Sequence, residues 1–544
     1  CRLAPQLPQK TLFPEVGDLL QLASVRAKAL RMPRNATLNQ QQLQAVEEIV
    51  AGVCRPIPYL LFGPPGTGKT VTLVEAIYQI FQTQRTARIL ACAPTNTAAD
   101  LLIERLSTSV LPSEMLRIMA FSRPLEAVGS VVRPYTLRDE VGFVSPSLQQ
   151  VKSYRIVVAT MTSAGKLFNL GVERGWFQTI VIDEGGQSLE PEAIAPVAPL
   201  LSSHDQLVIA GDPKQLGPIV HSPVASKHGL SMSLLERLIQ RPVYNQDRGR
   251  YPNSGGFNPR VLTKLLHNYR AHPDLLHLPN SLFYEGELIA AANPTSSHSL
   301  ATWEHLVTPG VPLIFHGVEG KDEREANSPS WFNTSEIELV IEYVKKLVLD
   351  TRTNRVAAED IGIITPYAKQ KQKMRDALAI EAGRDTGRGG RGMFRSIKVG
   401  STEEFQGQER RVIILTTVRT SKQFVESDAK HNLGFLTNPK RFNVATTRAQ
   451  ALMVVVGDPR VLHDDKHWGA LLKYCVEKGA YCGCALPAEN DEETRDALAR
   501  QMDDLLRDEE EEGVPDSDEG SDDEREAAPT QRMQQEQLPI ERND

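Results

Sequence analysis

From Pro58 onward, short and wholly apolar runs alternate with longer stretches whose apolar residues recur every three or four positions. "PYLLFG" (58–63) is predicted as a buried strand and "KTVTLVEAIYQIFQ" (69–82) as an amphipathic helix. "RILACAP" (88–94), "YRIVVAT" (154–160), "TIVIDE" (179–184) and "QLVIAGD" (206–212) are further strands. These runs are continuous rather than alternating, as expected for strands buried on both faces, so they predict a parallel sheet covered by helices. The class is α/β.

Between residues 107 and 150 the pattern lapses into proline-punctuated text, which marks an insertion, and "RPVYNQDRGRYPNSGGFNP" (241–259) has the composition of a linker or loop. The alternation then resumes with "VPLIFHGV" (311–318) and "TSEIELVIEYVKKLVLD" (334–350), a helix placing Ile337, Val340, Ile341, Val344 and Val348 on one face. Strands at "IGIITPY" (361–367), "RVIILTTV" (411–418) and "ALMVVVGD" (451–458), with a helical "PKRFNVATTRAQ" (439–450), complete a second parallel unit. The organisation expected is a connector over 1–36, a first domain over 37–240, the linker 241–259, a second domain over 260–487 and a tail over 488–544.

At 544 residues the chain exceeds what one core supports, and no apolar run reaches the roughly 18 residues of a membrane span. Charge is unevenly spread. Residues 488–544 carry 22 acidic and 6 basic side chains, a net of −16, which leaves the preceding 487 residues at +9. The tail lacks apolar periodicity and is expected to be disordered and solvated. The glycine-arginine stretch "GRDTGRGGRG" (383–392) is expected to be a surface loop. Six cysteines form no disulfide framework, and the spacing of Cys475, Cys482 and Cys484 with His463 and His467 matches no zinc pattern. The chain begins at Cys1 rather than Met, which points to a fragment.

Chemistry enters with "GPPGTGKT" (63–70), set between a strand and a helix. Its spacing fits G-x-x-x-x-G-K-[ST], across Gly63, Pro64, Pro65, Gly66, Thr67, Gly68, Lys69 and Thr70. Glycines let backbone N–H groups approach phosphates, the helix start adds a favourable dipole, Lys69 supplies a cation and Thr70 a hydroxyl for Mg²⁺. Asp183 ends a buried strand, where a carboxylate is costly unless it serves a cation, and Glu184 beside it suits deprotonation of a water. Gln215 in "GDPKQLGP" is placed to sense the γ-phosphate. Arg270 in "NYRAHP" and Arg448 in "NVATTRA" would neutralise charge on that phosphate if two domains face one nucleotide. No Asn-Lys-x-Asp guanine reader is present, which argues against a GTPase.

The ordered series "LNQQQLQAV", "GPPGTGKT", "APTNTAADLL", "DEGGQSLEPE", "GDPKQLGP", "NYRAHP", "IGIITPYAKQ", "GSTEEFQGQE" and "NVATTRA" resembles the core of superfamily 1, group B, helicases of the up-frameshift-like type. "HGVEGKDEREANSPSWFN" and "HNLGFLTNPKRFNVATTRA" are similar to the Moloney-leukaemia-virus-ten and Armitage branch. The resemblance implies two tandem RecA-like domains and an ATP- and Mg²⁺-dependent RNA helicase moving 5′ to 3′ on single-stranded RNA. It implies partners in RNA-silencing or RNA-decay ribonucleoproteins, a monomer without membrane attachment, and a cytoplasmic place, in RNA–protein granules. By the same resemblance Gln42 reads adenine, Tyr269 stacks on it and Glu409 holds the ribose. Thr95, Asn96, Thr160, Thr162, Thr365, Pro366 and Thr402 fall in segments that contact the strand. An RNA clamp gated by ATP, with little unwinding, and a DNA helicase of the same superfamily are the alternatives. Gly185 departs from the family's usual alanine, and a residue as small is expected to change little. The N-terminal domains, β-barrel and stalk of family members are expected to be missing here.

Overall fold

A computed structural model describes residues 9–22, 33–325, 328, 330–350, 355–384, 393–421 and 438–487. The acidic tail, most of the glycine-arginine stretch and all of "HNLGFLT" lie outside the described residues. The chain divides into one unit, Cys1–Leu486, and a second, Pro487–Asp544.

Seven strands form the first sheet: β1 Tyr59–Phe62, β2 Ile89–Ala93, β3 Met115–Arg117, β4 Ile156–Thr160, β5 Thr179–Ile182, β6 Gln206–Gly211 and β7 Leu262–Lys264. Their order is β3-β4-β2-β5-β6-β1-β7, with every pairing parallel. Six more form the second: β8 Leu313–Gly317, β9 Ile361–Ile364, β10 Lys398–Gly400, β11 Arg410–Thr416, β12 Ala449–Gly457 and β13 Tyr481–Gly483. Their order is β10-β9-β11-β12-β8-β13, again parallel throughout. Both sheets are the buried α/β type that the continuous apolar runs predict.

Strand alternation divides the core of the second sheet. Ile413, Leu415, Met453 and Val455 join the large cluster that also fills the first sheet, while Val412, Ile414, Leu452, Val454 and Val456 face the other way. There they meet Ile337, Val340, Ile341, Val344 and Val348 of the helix Thr334–Val348, whose N-cap Asn333 accepts from Glu336 N–H. The apolar stripe read from sequence is therefore the packed face.

Two stretches differ from expectation. The supposed insertion at 107–150 supplies the edge strand β3 and buries Val128, Val132, Tyr135 and Phe143. The linker also does not separate the sheets, because β7, beyond its end, pairs with β1 and completes the first one. Within 241–259, Tyr244 is buried and its hydroxyl donates to the Pro58 carbonyl at 2.7 Å. Both edge strands are three residues long, too short for periodicity to register. The helix expected over 439–450 ends at Thr446, because Ala449 already pairs with Arg410 in the sheet. Cys475 is buried, and burial pushes its thiol well above the ordinary range. Among the described residues no helix is long and apolar enough to cross a membrane.

Candidate functional site

β5, β6 and β1 are neighbours, so the segments after them emerge side by side at the carboxyl ends of the first sheet. This is where open α/β sheets bind ligands. After β1 the chain must turn tightly around a lysine. A Cβ on Gly63 would lie 2.1 Å from Lys69 Cγ, so any other residue would displace the lysine from this position. Lys69 Nζ folds back and donates to the Gly63 carbonyl at 2.5 Å. Gly66 and Gly68 take φ values of 70° and 82°, which side-chain-bearing residues rarely adopt. The helix Lys69–Thr83 then starts with no side-chain cap, leaving its first N–H groups and its positive end for an anion.

Opposite that helix start, Thr70 Oγ1 donates to Asp183 Oδ2 at 2.9 Å. Burial raises the Asp183 pKa, and neighbouring Glu184 adds to the rise, against the Thr70 hydrogen bond and the Lys69 charge. An oxygen pair of this kind, with a carboxylate short of positive charge, fits a hard divalent cation. Glu184 has φ 53°, uncommon for a non-glycine residue, and its Oε2 accepts from Gln187 Nε2 at 3.0 Å. The turn is tight at Gly185, where a Cβ would meet Ile209 Cγ2 at 2.5 Å. Glycine suits this packing, because Ile209 fills the space that an alanine Cβ would take.

The amino ends of the second sheet close the other side. Arg448 immediately precedes β12 and Glu409 immediately precedes β11, two strands paired through Arg410 and Ala449. Arg448 is 1% exposed and donates to Gln215 Oε1 at 3.1 Å, to the Val444 carbonyl at 2.9 Å and to Thr447 Oγ1 at 3.1 Å. Burial pushes its pKa down to about 9, with the Arg270 charge acting the same way. Among the described residues no carboxylate hydrogen-bonds to it. Gln215 donates in turn to Asp212 Oδ2 at 2.6 Å.

Arg270 pairs with Glu409 through Nε and donates through Nη1 to the Thr447 carbonyl at 2.8 Å. Burial acts to raise the Glu409 pKa, but the Arg270 charge, hydrogen bonds from Arg270 and Gln450 and the Arg448 charge together outweigh it and hold the carboxyl below its ordinary value. Tyr269 is partly exposed, and its hydroxyl accepts from Asn39 Nδ2 at 2.8 Å. Its backbone N–H donates to the Gly66 carbonyl at 2.8 Å, and Asn268 Nδ2 to that of Pro65 at 2.7 Å, pinning "NYR" to the glycine-rich loop. Together these groups border a cleft of about 540 Å³ that takes in Pro65 to Thr70, Asp183, Glu184, Gln215, Tyr269, Arg270, Glu409 and Arg448.

Other predicted residues lie elsewhere. Gln42 does not line the cleft: its Nε2 donates to the Thr67 carbonyl at 3.1 Å and its Oε1 accepts from Asn39 N–H at 3.0 Å. That capping box holds the carboxamide against the loop. Gly63 and Pro64 brace the loop from behind, through their carbonyls to Lys69 and Thr67. The proposed strand contacts sit at carboxyl ends of paired strands. Thr95, which also lines the cleft, and Asn96 follow β2, Thr160 and Thr162 belong to β4 and its helix, Thr365 and Pro366 follow β9, and Thr402 follows β10. Thr95 and Thr162 are exposed, and Thr95 and Thr160 are helix N-caps. Thr365 and Thr402 are each 1% exposed, so their hydroxyls do not face the surface.

The structure adds groups that sequence reasoning missed. Tyr284 OH donates to Asp212 Oδ2 at 2.8 Å and accepts from Asn443 Nδ2 at 2.7 Å, deep inside. Asp212 and Asn443 belong to quoted motifs, but Tyr284 carries no sequence signal of this kind.

Two family models described as "AAA domain" match this chain, one at residues 37–142 and 144–223, the other at 230–460. "Putative helicase MOV-10" of Gallus gallus is 47% identical over 516 residues, covering 91% of this chain and 52% of that protein. "RNA helicase Mov10l1" of Mus musculus is 44% identical, covering 87% and 38%. "Probable RNA helicase armi" of Drosophila melanogaster is 37% identical, covering 83% and 39%. The chain thus spans about half the length of the first of these relatives, and less of the others. With both sheets, the ordered motifs and these matches in agreement, the chain belongs to the up-frameshift-like helicases of superfamily 1, in the branch of the Moloney-leukaemia-virus-ten and Armitage proteins.

Proposed function

We propose that this chain is the ATP-hydrolysing core of an RNA helicase that moves 5′ to 3′ on single-stranded RNA and remodels RNA–protein complexes in silencing or decay. We place it in the cytoplasm, as a monomer. The observation that carries the reading is Arg448. A guanidinium that is buried, has no hydrogen-bonded carboxylate among the described residues and shares a cleft with an uncapped helix start is stabilised by an incoming anion.

In this reading the backbone from Gly66 to Thr70 holds the phosphates, and Lys69 leaves the Gly63 carbonyl to meet them. Thr70 and Asp183 hold Mg²⁺, which when bound neutralises phosphate charge. Glu184 takes the proton of the attacking water, oriented by its bond to Gln187. Gln215 and Arg448, already joined across the two sheets, stabilise charge developing on the γ-phosphate. Arg270 does the same once it leaves Glu409, whose carboxylate is then free for the ribose hydroxyls. Tyr269 stacks on the base, and Gln42 supports the loop from beneath. Strand contacts come from the carboxyl ends of both sheets, through groups suited to phosphate and sugar rather than to base edges.

Glu184→Gln tests this assignment. Nucleotide and RNA binding should persist while turnover stops; hydrolysis at the parent rate would remove Glu184 as the base. Arg448→Ala should slow turnover by roughly 10³ or more, with a smaller change in nucleotide affinity.

A further inference from the structure

Arg117 is 1% exposed, on the edge strand β3, and its guanidinium makes three divergent hydrogen bonds. Nε donates to Asp100 Oδ1 at 2.9 Å, Nη1 to the Ile118 carbonyl at 2.5 Å and Nη2 to Asn96 Oδ1 at 3.0 Å. Asn96 and Asp100 are four residues apart in the helix Asn96–Leu106, so they share one face and Arg117 grips both. The second oxygen of Asp100 is held by Arg123 Nη2 at 2.6 Å. This cluster lies outside the nucleotide cleft.

An arginine carries donors only. Asn96 must therefore turn its oxygen inward, and its amide nitrogen, with two N–H donors, points away from Arg117. That nitrogen makes no hydrogen bond among the described residues. Asn96 stands at the first position of its helix, beside the exposed Thr95, where the helix dipole also favours an acceptor.

We infer that Arg117 is a positioning residue that makes Asn96 an obligate hydrogen-bond donor to the nucleic-acid strand, presented to its phosphate or sugar oxygens. The inference rests on the proposed RNA-binding function. It gives β3 and the segment around it a role: the supposed insertion sets the polarity of one strand contact. Lysine at 117 would keep the charge beside Asp100, but its single ammonium cannot reach the same three directions.

RNA affinity by fluorescence anisotropy, for the parent, Asn96→Ala, Arg117→Lys and the double variant, tests it. Each single change should weaken binding about tenfold, as expected for one hydrogen bond to a charged partner, and the double variant should bind no more weakly than Asn96→Ala alone. Arg117→Lys should also raise the RNA concentration that half-stimulates turnover without lowering the rate at saturation. Multiplying effects, or an Arg117→Lys that binds as the parent does while Asn96→Ala is weak, would overturn the inference. Asn96→Asp serves if Arg117→Lys does not fold. It keeps an oxygen for Arg117 and removes the donors, so RNA binding should fall at least as far as in Asn96→Ala without loss of thermal stability. Parent-like RNA binding by Asn96→Asp would overturn the donor assignment. Normal RNA binding by Asn96→Ala would overturn it too, whereas loss of RNA-stimulated turnover in the parent itself would reject the RNA reading as a whole.

Discussion

Gly185 shows how much one missing methyl group can decide. Because Ile209 Cγ2 lies 2.5 Å from where a Cβ would sit, Gly185→Ala forces the Asp183–Glu184 turn or β6 to move. Overpacking of this kind costs about 1–3 kcal/mol, so denaturant unfolding should report a loss of that size. Unchanged stability would mean that Ile209 yields freely. Glu336 offers a second residue-scale test. Burial pushes its carboxyl up to about 8, against hydrogen bonds from Thr416 Oγ1 and from backbone N–H groups. The folded state therefore keeps a proton that the unfolded chain loses near 4.5, and stability contributed by this group falls as pH rises from there towards 8. Glu336→Gln should flatten that part of the stability profile, measured by thermal unfolding at a series of pH values.

Among the elements, the most legible were those whose burial is complete. β1, β2, β5 and β6 are each buried at every position, and their Val, Ile, Leu and Ala runs announce this without any structure. The turn of the glycine-rich loop was legible for a related reason, since it is one contiguous segment. β3 and β7 were not legible, because three residues at a sheet edge carry no period and their partners lie far away in sequence. Gln42 takes part in the capping box of its own helix start, a role that its motif alone does not announce. The bridge from Asp212 through Tyr284 to Asn443 draws on three separate segments, and only their meeting gives Tyr284 a part. Tyr284→Phe removes both hydrogen bonds and leaves two buried polar groups short of a partner. It should cost about 1–3 kcal/mol of stability and reduce turnover through Gln215, which shares Asp212 with it. A variant as stable and active as the parent would show the bridge to be incidental.

On the scale of the whole molecule, one cleft, which we propose holds the nucleotide, is built from the carboxyl ends of one parallel sheet and the amino ends of another. Gln215 and Arg448 already touch across it. Hydrolysis in such a site depends on how the two sheets meet, which is how a strand lying along their carboxyl ends would control turnover. The most direct test is steady-state ATP turnover by this chain, alone, with single-stranded RNA and with DNA of the same sequence. The account predicts strong stimulation by RNA and weaker stimulation by DNA. Turnover indifferent to RNA, with ATP still bound, would contradict it.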